Sequence, residues 1–273
     1  MRARAALLLC TILGLSSALA SASPSESKVS ALRTLASRTS SRAEATSRRE
    51  AELSFVRTGA GFKDSAGGDW RGKAGRGDAA ELDRLGNEHA TVAIYRIAES
   101  AFGTAAPEVR AVEIDGKPFL LAKKIPLDDA ATFSDEQLKQ FGSGFVIDAW
   151  LANWDVGGAW QLTADVAGKP VRMVAGGGGL YRASGEPKGA AFGDQVTELR
   201  SMRDPLKSTS FGFRKVTAKD VKGQLQRFAA WYPAHRAEIE TAIDGTALGP
   251  ASAHTLKTKL AARAEWLIKQ AKK

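Results

Sequence analysis

No aromatic residue precedes Phe55. The stretch over residues 23–57 consists mainly of Ser, Ala, Arg, Glu and Thr with few branched aliphatics, so it buries too little apolar surface to offset its chain entropy. This divides the 273-residue chain. Residues 23–57 are expected as a flexible or loosely helical leader, and a core can form only beyond them. The remaining stretch of about 200 residues fits one domain with room for two lobes. Ahead of the leader, "MRARAALLLCTILGLSSALASAS" passes from two arginines through an apolar run to small residues. That is the order of a secretory signal peptide, expected over residues 1–22, and its apolar part is too short to span a bilayer comfortably. The expected location is secreted or periplasmic. Cys10, the single cysteine, lies inside this segment, so the rest of the chain offers neither a disulfide nor a thiol nucleophile.

The net charge of +9 is unevenly spread: +5 over residues 1–50, −4 over 51–205 and +8 over 206–273. Basic ends can attract anionic polymers or lipid headgroups, although such runs also serve simply as a solvated face. A nucleic-acid partner is not expected for an exported chain. The basic tail "KLAARAEWLIKQAKK" lacks the aromatic interleaving of a stacking platform.

Around "GAGFKDSAGGDWRGKAG" the glycines predict tight turns or a hairpin, with strand character near Trp70. Leu82, Leu85, Ala93, Ile97 and Ala101 recur near helical spacing, with Gly103 as a stop. "EVRAVEIDGKPFLLAKKIP" predicts two strands about an Asp115-Gly116 turn. "SDEQLKQFGSGFVIDAWLANW" predicts a single helix capped by Ser134 that buries Leu138, Phe141, Phe145, Ala149 and Ala152. A short hairpin about Gly168-Lys169 follows, and beyond Thr197 two amphipathic helices are expected over residues 218–243 and 252–272. The fold class is α+β: a small sheet-rich N-lobe with one helix, joined through a hairpin to a mainly helical C-lobe, in outline a two-lobed kinase-like fold.

Several stretches carry a resemblance: "NEHATVAIYRIAESAFGTAAPEVRAV" (residues 87–112), "GFVIDAWLANWDVGG" (144–158), "KPVRM" with "GGGGLYRASGEPKGAAFGDQVTELRSMRDP" (169–205) and "LAARAEWL" (260–267). Together they resemble the HipA-like kinase-fold domains of bacteria and phage-associated genes, including those beside MuF-type head proteins. The resemblance covers nearly all of the expected domain, residues 58–273. It implies a lysine on a lobe strand that contacts nucleotide phosphates and a glutamate on the following helix that holds it; Lys73 and Glu88 are the matching positions. The alternative account of both is ordinary surface charge. Asp155 matches the catalytic-loop aspartate, which orients or deprotonates an attacking hydroxyl. Its alternative is an acid that caps the turn after the helix or pairs with an arginine.

The departures fall at the metal anchors. Where the resemblance implies a metal-ligating asparagine five residues after the aspartate, the chain has Trp160. Where it implies an aspartate after the "PVR" strand, the chain has Val174 and Ala175. Magnesium needs oxygen ligands, which indole, isopropyl and methyl cannot supply. Losing one preorganised electrostatic group in an active site costs on the order of 10²–10³ in rate, and here two are replaced. Asp165, on the intervening hairpin, would have to point back into the cleft to substitute. His89, His235 and His254 are scattered without metal-ligand spacing, so no metal site is expected. "AGGGGLYR" lacks the Gly-Lys-Ser/Thr ending of a phosphate-binding P-loop and predicts a tight turn. Trp150 and Trp154, one helical turn apart, predict core packing.

The leading expectation is an exported pseudokinase that has lost metal-dependent phosphoryl transfer and acts by binding or regulation on a protein partner. It would carry no cofactor, or ATP held weakly at Lys73 and Glu88. One alternative is an active ATP-dependent kinase or nucleotidyl transferase with rearranged metal ligands, using Asp155 as base. Another is a basic module that binds an anionic envelope polymer or membrane surface.

Overall fold

The computed structural model describes residues 54–59, 61–74, 78–128, 133–173 and 177–273, with positions 160, 208 and 209 described through their backbone alone. The expected signal peptide, the leader as far as position 53, and positions 174 and 175 lie outside the described residues. Residues Phe55–Lys273 form an α+β unit with an N-terminal sheet region and a largely helical C-terminal region.

Strands β1 (Phe55–Thr58), β2 (Gly61–Asp64), β3 (Asp69–Ala74), β4 (Val109–Ile114) and β5 (Lys117–Lys123) form an antiparallel sheet in the order β1-β2-β3-β5-β4. The β2–β3 turn is closed by Asp64, whose carboxylate accepts from Ala66 N, Gly68 N and, at 2.8 Å, Trp70 Nε1. The Trp70 bond, helped by the turn amides, holds the Asp64 carboxyl below its usual range. In the β4–β5 hairpin Asp115 and Gly116 take φ of 52° and 70°. A two-residue turn needs two such positive values to match the twist of its strands.

Register decides which face each sheet residue uses, because directly paired residues of an antiparallel ladder point the same way. Trp70, paired with Lys123, joins Phe62, Phe119 and Leu121 in one cluster. Lys73, paired with Leu120, faces the opposite side. There Leu120 and Val109 pack on Leu85 and Val92 of the long helix α1 (Ala79–Phe102).

Asp78 caps the start of α1, and Gly103, at φ 62°, ends it as expected. The buried stripe differs from expectation: Leu82, Ala93, Ile97 and Ala101 are only half-buried. The fully buried set includes Leu85, Ala90, Ile94, Tyr95, Ala98 and Phe102, together with the polar Asn87, Glu88 and Thr91. The helix lies between the sheet and the helical core, so it is covered on more than one side and its polar residues find partners inside.

The expected single helix from Ser134 is two, α2 (Asp135–Gly142) and α3 (Phe145–Trp150). Ser134 and Gln137 form a reciprocal capping box at the start of α2. At the break, the Gln224 side chain donates to Gly142 O at 2.9 Å and accepts from Val146 N at 3.0 Å. Arg172 Nη2 donates to Phe141 O at 2.7 Å. A Cβ on Gly144 would stand 2.5 Å from that same nitrogen and 2.6 Å from Thr104 Cγ2, so a side chain at 144 is excluded. Ala152, expected on the helical stripe, lies past the end of α3 with φ 50°.

A three-stranded sheet of β6 (Leu127–Asp128), β7 (Leu162–Asp165) and β8 (Pro170–Arg172) includes the expected Gly168-Lys169 hairpin. Beyond it come the short α4 (Glu198–Ser201) and then α5 (Ala218–Asp244) and α6 (Pro250–Ala271), close to the expected spans. The core centres on Trp150, which packs edge-on against Phe228 and Tyr232 at 5.3 and 5.5 Å between ring centroids. Among the described residues no helix is long and apolar enough to cross a membrane.

Candidate functional site

The site is built on the C-terminal end of α3. A helix end leaves its last carbonyls without intrahelical partners and carries partial negative charge. Here distant groups satisfy them. Arg263 of α6 donates to Ala149 O at 2.7 Å and Trp150 O at 2.8 Å, and also reaches Glu198 Oε2 at 3.0 Å. Gly179 N donates to Leu151 O at 2.7 Å, and Lys188 Nζ to Ala152 O at 2.8 Å. The loop that follows, residues 152–155, is thereby pinned from the glycine run, from residue 188 and from the last helix.

A second set of buried polar groups reaches the same loop from below. Arg172 and Asp148 form a bidentate pair with both contacts at 2.8 Å and no exposure of either side chain. Burial pushes the Asp148 carboxyl above its usual range, and the Arg172 guanidinium pulls against that shift. The Tyr95 hydroxyl bonds to Asp148 and accepts from Asn153 Nδ2 at 2.9 Å. Burial, followed by the Asp148 charge, raises the tyrosine well above its ordinary value, so it stays protonated.

Residues 177–181 of the glycine run pack into the space these groups leave. Asn87 of α1 donates to Gly178 O and accepts from Leu180 N, both at 2.9 Å. Gly178 and Gly179 take φ of 99° and 56°. A Cβ at Gly177 would lie 2.6 Å from Asp155 Oδ2 and 3.0 Å from Asn153 Oδ1. The run is therefore a tight seat between α1 and the Asp155 loop, and glycine is required by both space and backbone angle.

Two of the residues singled out in the sequence meet. Lys73 Nζ donates to both oxygens of Glu88, at 3.1 and 3.0 Å. The register of β3 turns Lys73 toward α1, and Glu88 waits there with 6 % exposure. Arg84 Nη1 approaches the same carboxylate at 3.7 Å. Asp155 opens a short 3-10 helix (Asp155–Gly157) rather than capping α3, and no hydrogen bond or ion pair to its carboxylate is present among the described residues. Gly177 lies against its carboxylate, and Asn87, the neighbour of Glu88 in sequence, holds Gly178 and Leu180.

Asp165 has a turn role: its Oδ1 accepts from Ala167 N at 3.0 Å and Lys169 N at 2.8 Å. Trp150 is core, whereas Trp154 is half-buried and carries Lys207 Nζ 4.8 Å from its ring centroid. His235 stacks on Trp231, and burial followed by Arg110 lowers His89 to about 4. Among the described residues no three His, Cys, Asp or Glu side chains gather as a cation site. In the basic C-terminal part, Lys257 pairs with Asp244 at 2.6 Å and Lys259 with Asp194 at 2.9 Å.

Lys188 was not singled out by sequence reasoning. It is 8 % exposed and donates to Ala152 O and, at 3.1 Å, to Gly179 O. Burial, and then the nearby Arg263, lower it to about 7, against the pull of Glu198 and Asp155. No local signal marks it, since its acceptors lie on the α3 loop and in the glycine run.

No known protein family, no curated protein and no solved structure matches this chain.

Proposed function

We propose that the protein is an exported binding or regulatory protein of two-lobed, HipA-like kinase architecture whose cleft takes a nucleotide-type anion weakly and does not carry out metal-dependent phosphoryl transfer. The observation that carries this reading is the Lys73–Glu88 pair, at 3.0 Å between a strand and the following helix. A compact ammonium held in place by a buried carboxylate suits phosphate oxygens. The chemistry of the remaining positions does not suit magnesium: Trp160, Val174 and Ala175 offer no oxygen where the resemblance implies ligands. The order of arginines, apolar run and small residues over residues 1–22 supports export.

A second reading, an enzyme using Asp155 as base, draws on the absence of a bonded partner for that carboxylate among the described residues. Transfer of label from γ-labelled ATP in the presence of Mg²⁺ separates the two. No transfer to protein, water or added acceptor is expected. Transfer that vanishes in Asp155→Ala would establish the enzyme instead.

A further inference from the structure

Beside Asp155 a cavity of about 750 Å³ opens between the α3 loop, the turn at residues 182–184 and the segment at 206–207. Its lining combines two chemistries. Arg182, Lys188 and Lys207 bring positive charge against the one acid, Asp155, while Trp154, Leu206, Ala152 and Ala183 supply apolar surface. Among the described residues neither Arg182 nor Lys207 has an ion-pair partner. Lys188 spends two of its three N–H donors on backbone carbonyls, and one remains. Leu206, also in the lining, is 92 % exposed and so offers its apolar side chain to a bound molecule.

Arg182 and Lys207, joined by Lys188 where it holds its proton, outweigh the one carboxylate and leave positive charge that an anion would neutralise; a phosphate monoester carries about −1.5 to −2 near neutral pH and would itself favour the protonated Lys188. The volume is that of a small-molecule site, roughly 300–1,000 Å³, rather than of a polymer groove. The half-buried indole, with Lys207 Nζ 4.8 Å from its ring centroid, and the exposed leucine suit a flat apolar body that carries an anionic group at the lysine end. We propose that this cavity binds the phosphate monoester of a small aromatic molecule, its phosphate held by Arg182, Lys188 and Lys207 and its ring lying between Trp154 and Leu206. This goes beyond the nucleotide reading and holds without Lys73 or Glu88.

The test is calorimetric titration of the full chain with phenyl phosphate, inorganic phosphate and phenol, without metal. Phenyl phosphate is expected to bind, inorganic phosphate about tenfold or more weakly, and phenol not measurably. Arg182→Gln and Lys207→Gln change exposed side chains, and each is expected to weaken phenyl phosphate about tenfold or more, the size of a lost charge-assisted hydrogen bond. Trp154→Ala is expected to weaken phenyl phosphate and leave inorganic phosphate unchanged. Lys73→Ala is expected to change nothing here, which separates this site from the nucleotide cleft. The inference is overturned if phenyl phosphate does not bind at millimolar concentration, if the Arg182→Gln, Lys207→Gln double variant binds it as the wild type does, or if Lys73→Ala alone abolishes binding.

Discussion

Lys188 shows how much a single buried side chain depends on its surroundings. Its ammonium bonds two backbone carbonyls that no neighbour in sequence could reach, yet it titrates near neutral pH because burial disfavours its charge. Arg263, Glu198, Asp155 and Arg182 are the charged groups acting on it. The direction of the pH effect follows from the difference between its folded value of about 7 and the ordinary 10.5. Between these values the unfolded chain holds the proton and the folded chain gives it up, so stability rises with pH across that window. Below about pH 7 both states are protonated and the cost of burying the charge is fully present. Wild type is therefore expected to gain stability relative to Lys188→Met between about pH 6 and pH 9, with a slope of at most about 1.4 kcal/mol per pH unit. Urea midpoints at the two pH values check this. An unchanged difference between the two proteins would show that the amine keeps its proton throughout.

The break between α2 and α3 shows the same dependence on distant residues at the level of an element. Leu138, Phe141, Phe145 and Ala149 keep helical spacing across it, so the pattern reads as one helix. What interrupts the helix lies far along the chain: Gln224 bonds both sides of the break, and Arg172 takes up Phe141 O. Gln224→Met keeps the volume but leaves Gly142 O and Val146 N buried without partners, at about 1–3 kcal/mol for each. A loss of about 2–6 kcal/mol is expected from urea unfolding, with the exposed Lys222→Ala on the same helix as a near-neutral control. A loss below about 0.5 kcal/mol would mean that water or a relaxed helix replaces the amide. The elements legible in sequence were those specified locally. The Asp115-Gly116 hairpin, the Ser134 cap, the Gly103 stop and helices α5 and α6 each follow from a few adjacent residues or a sustained period. Strand β6, two residues long, exists only through pairing with β7, and the buried polar side of α1 contradicts the rule that polar residues face outward.

For the whole molecule, the stretches that suggested a kinase-like cleft are brought together in space. Asn87 and Tyr95 from α1, Asp148 and Asn153 from the α3 region, Arg172 from β8, Lys188, Glu198 and Arg263 form connected hydrogen bonds around one loop. A network of this kind is specified by contacts across the fold, so spacing along the chain carries no trace of it. That Lys73 and Glu88 meet was expected through resemblance alone, because a lysine on a short glycine-containing strand has no periodic signature. Lys188 and the cavity were not found, because their definition needs the glycine run folded against α3. The central claim is that Lys73, steadied by Glu88, provides an anion seat that works without magnesium. Its most direct test is thermal denaturation of the full chain with excess ATP, with and without Mg²⁺, for wild type and Lys73→Ala. A ligand at 100 times its dissociation constant adds about 2.7 kcal/mol, roughly 5–11 °C for a domain of this size. The prediction is a rise in midpoint with ATP alone that Mg²⁺ does not increase and Lys73→Ala abolishes; a rise that requires Mg²⁺, or one that survives Lys73→Ala, would contradict it.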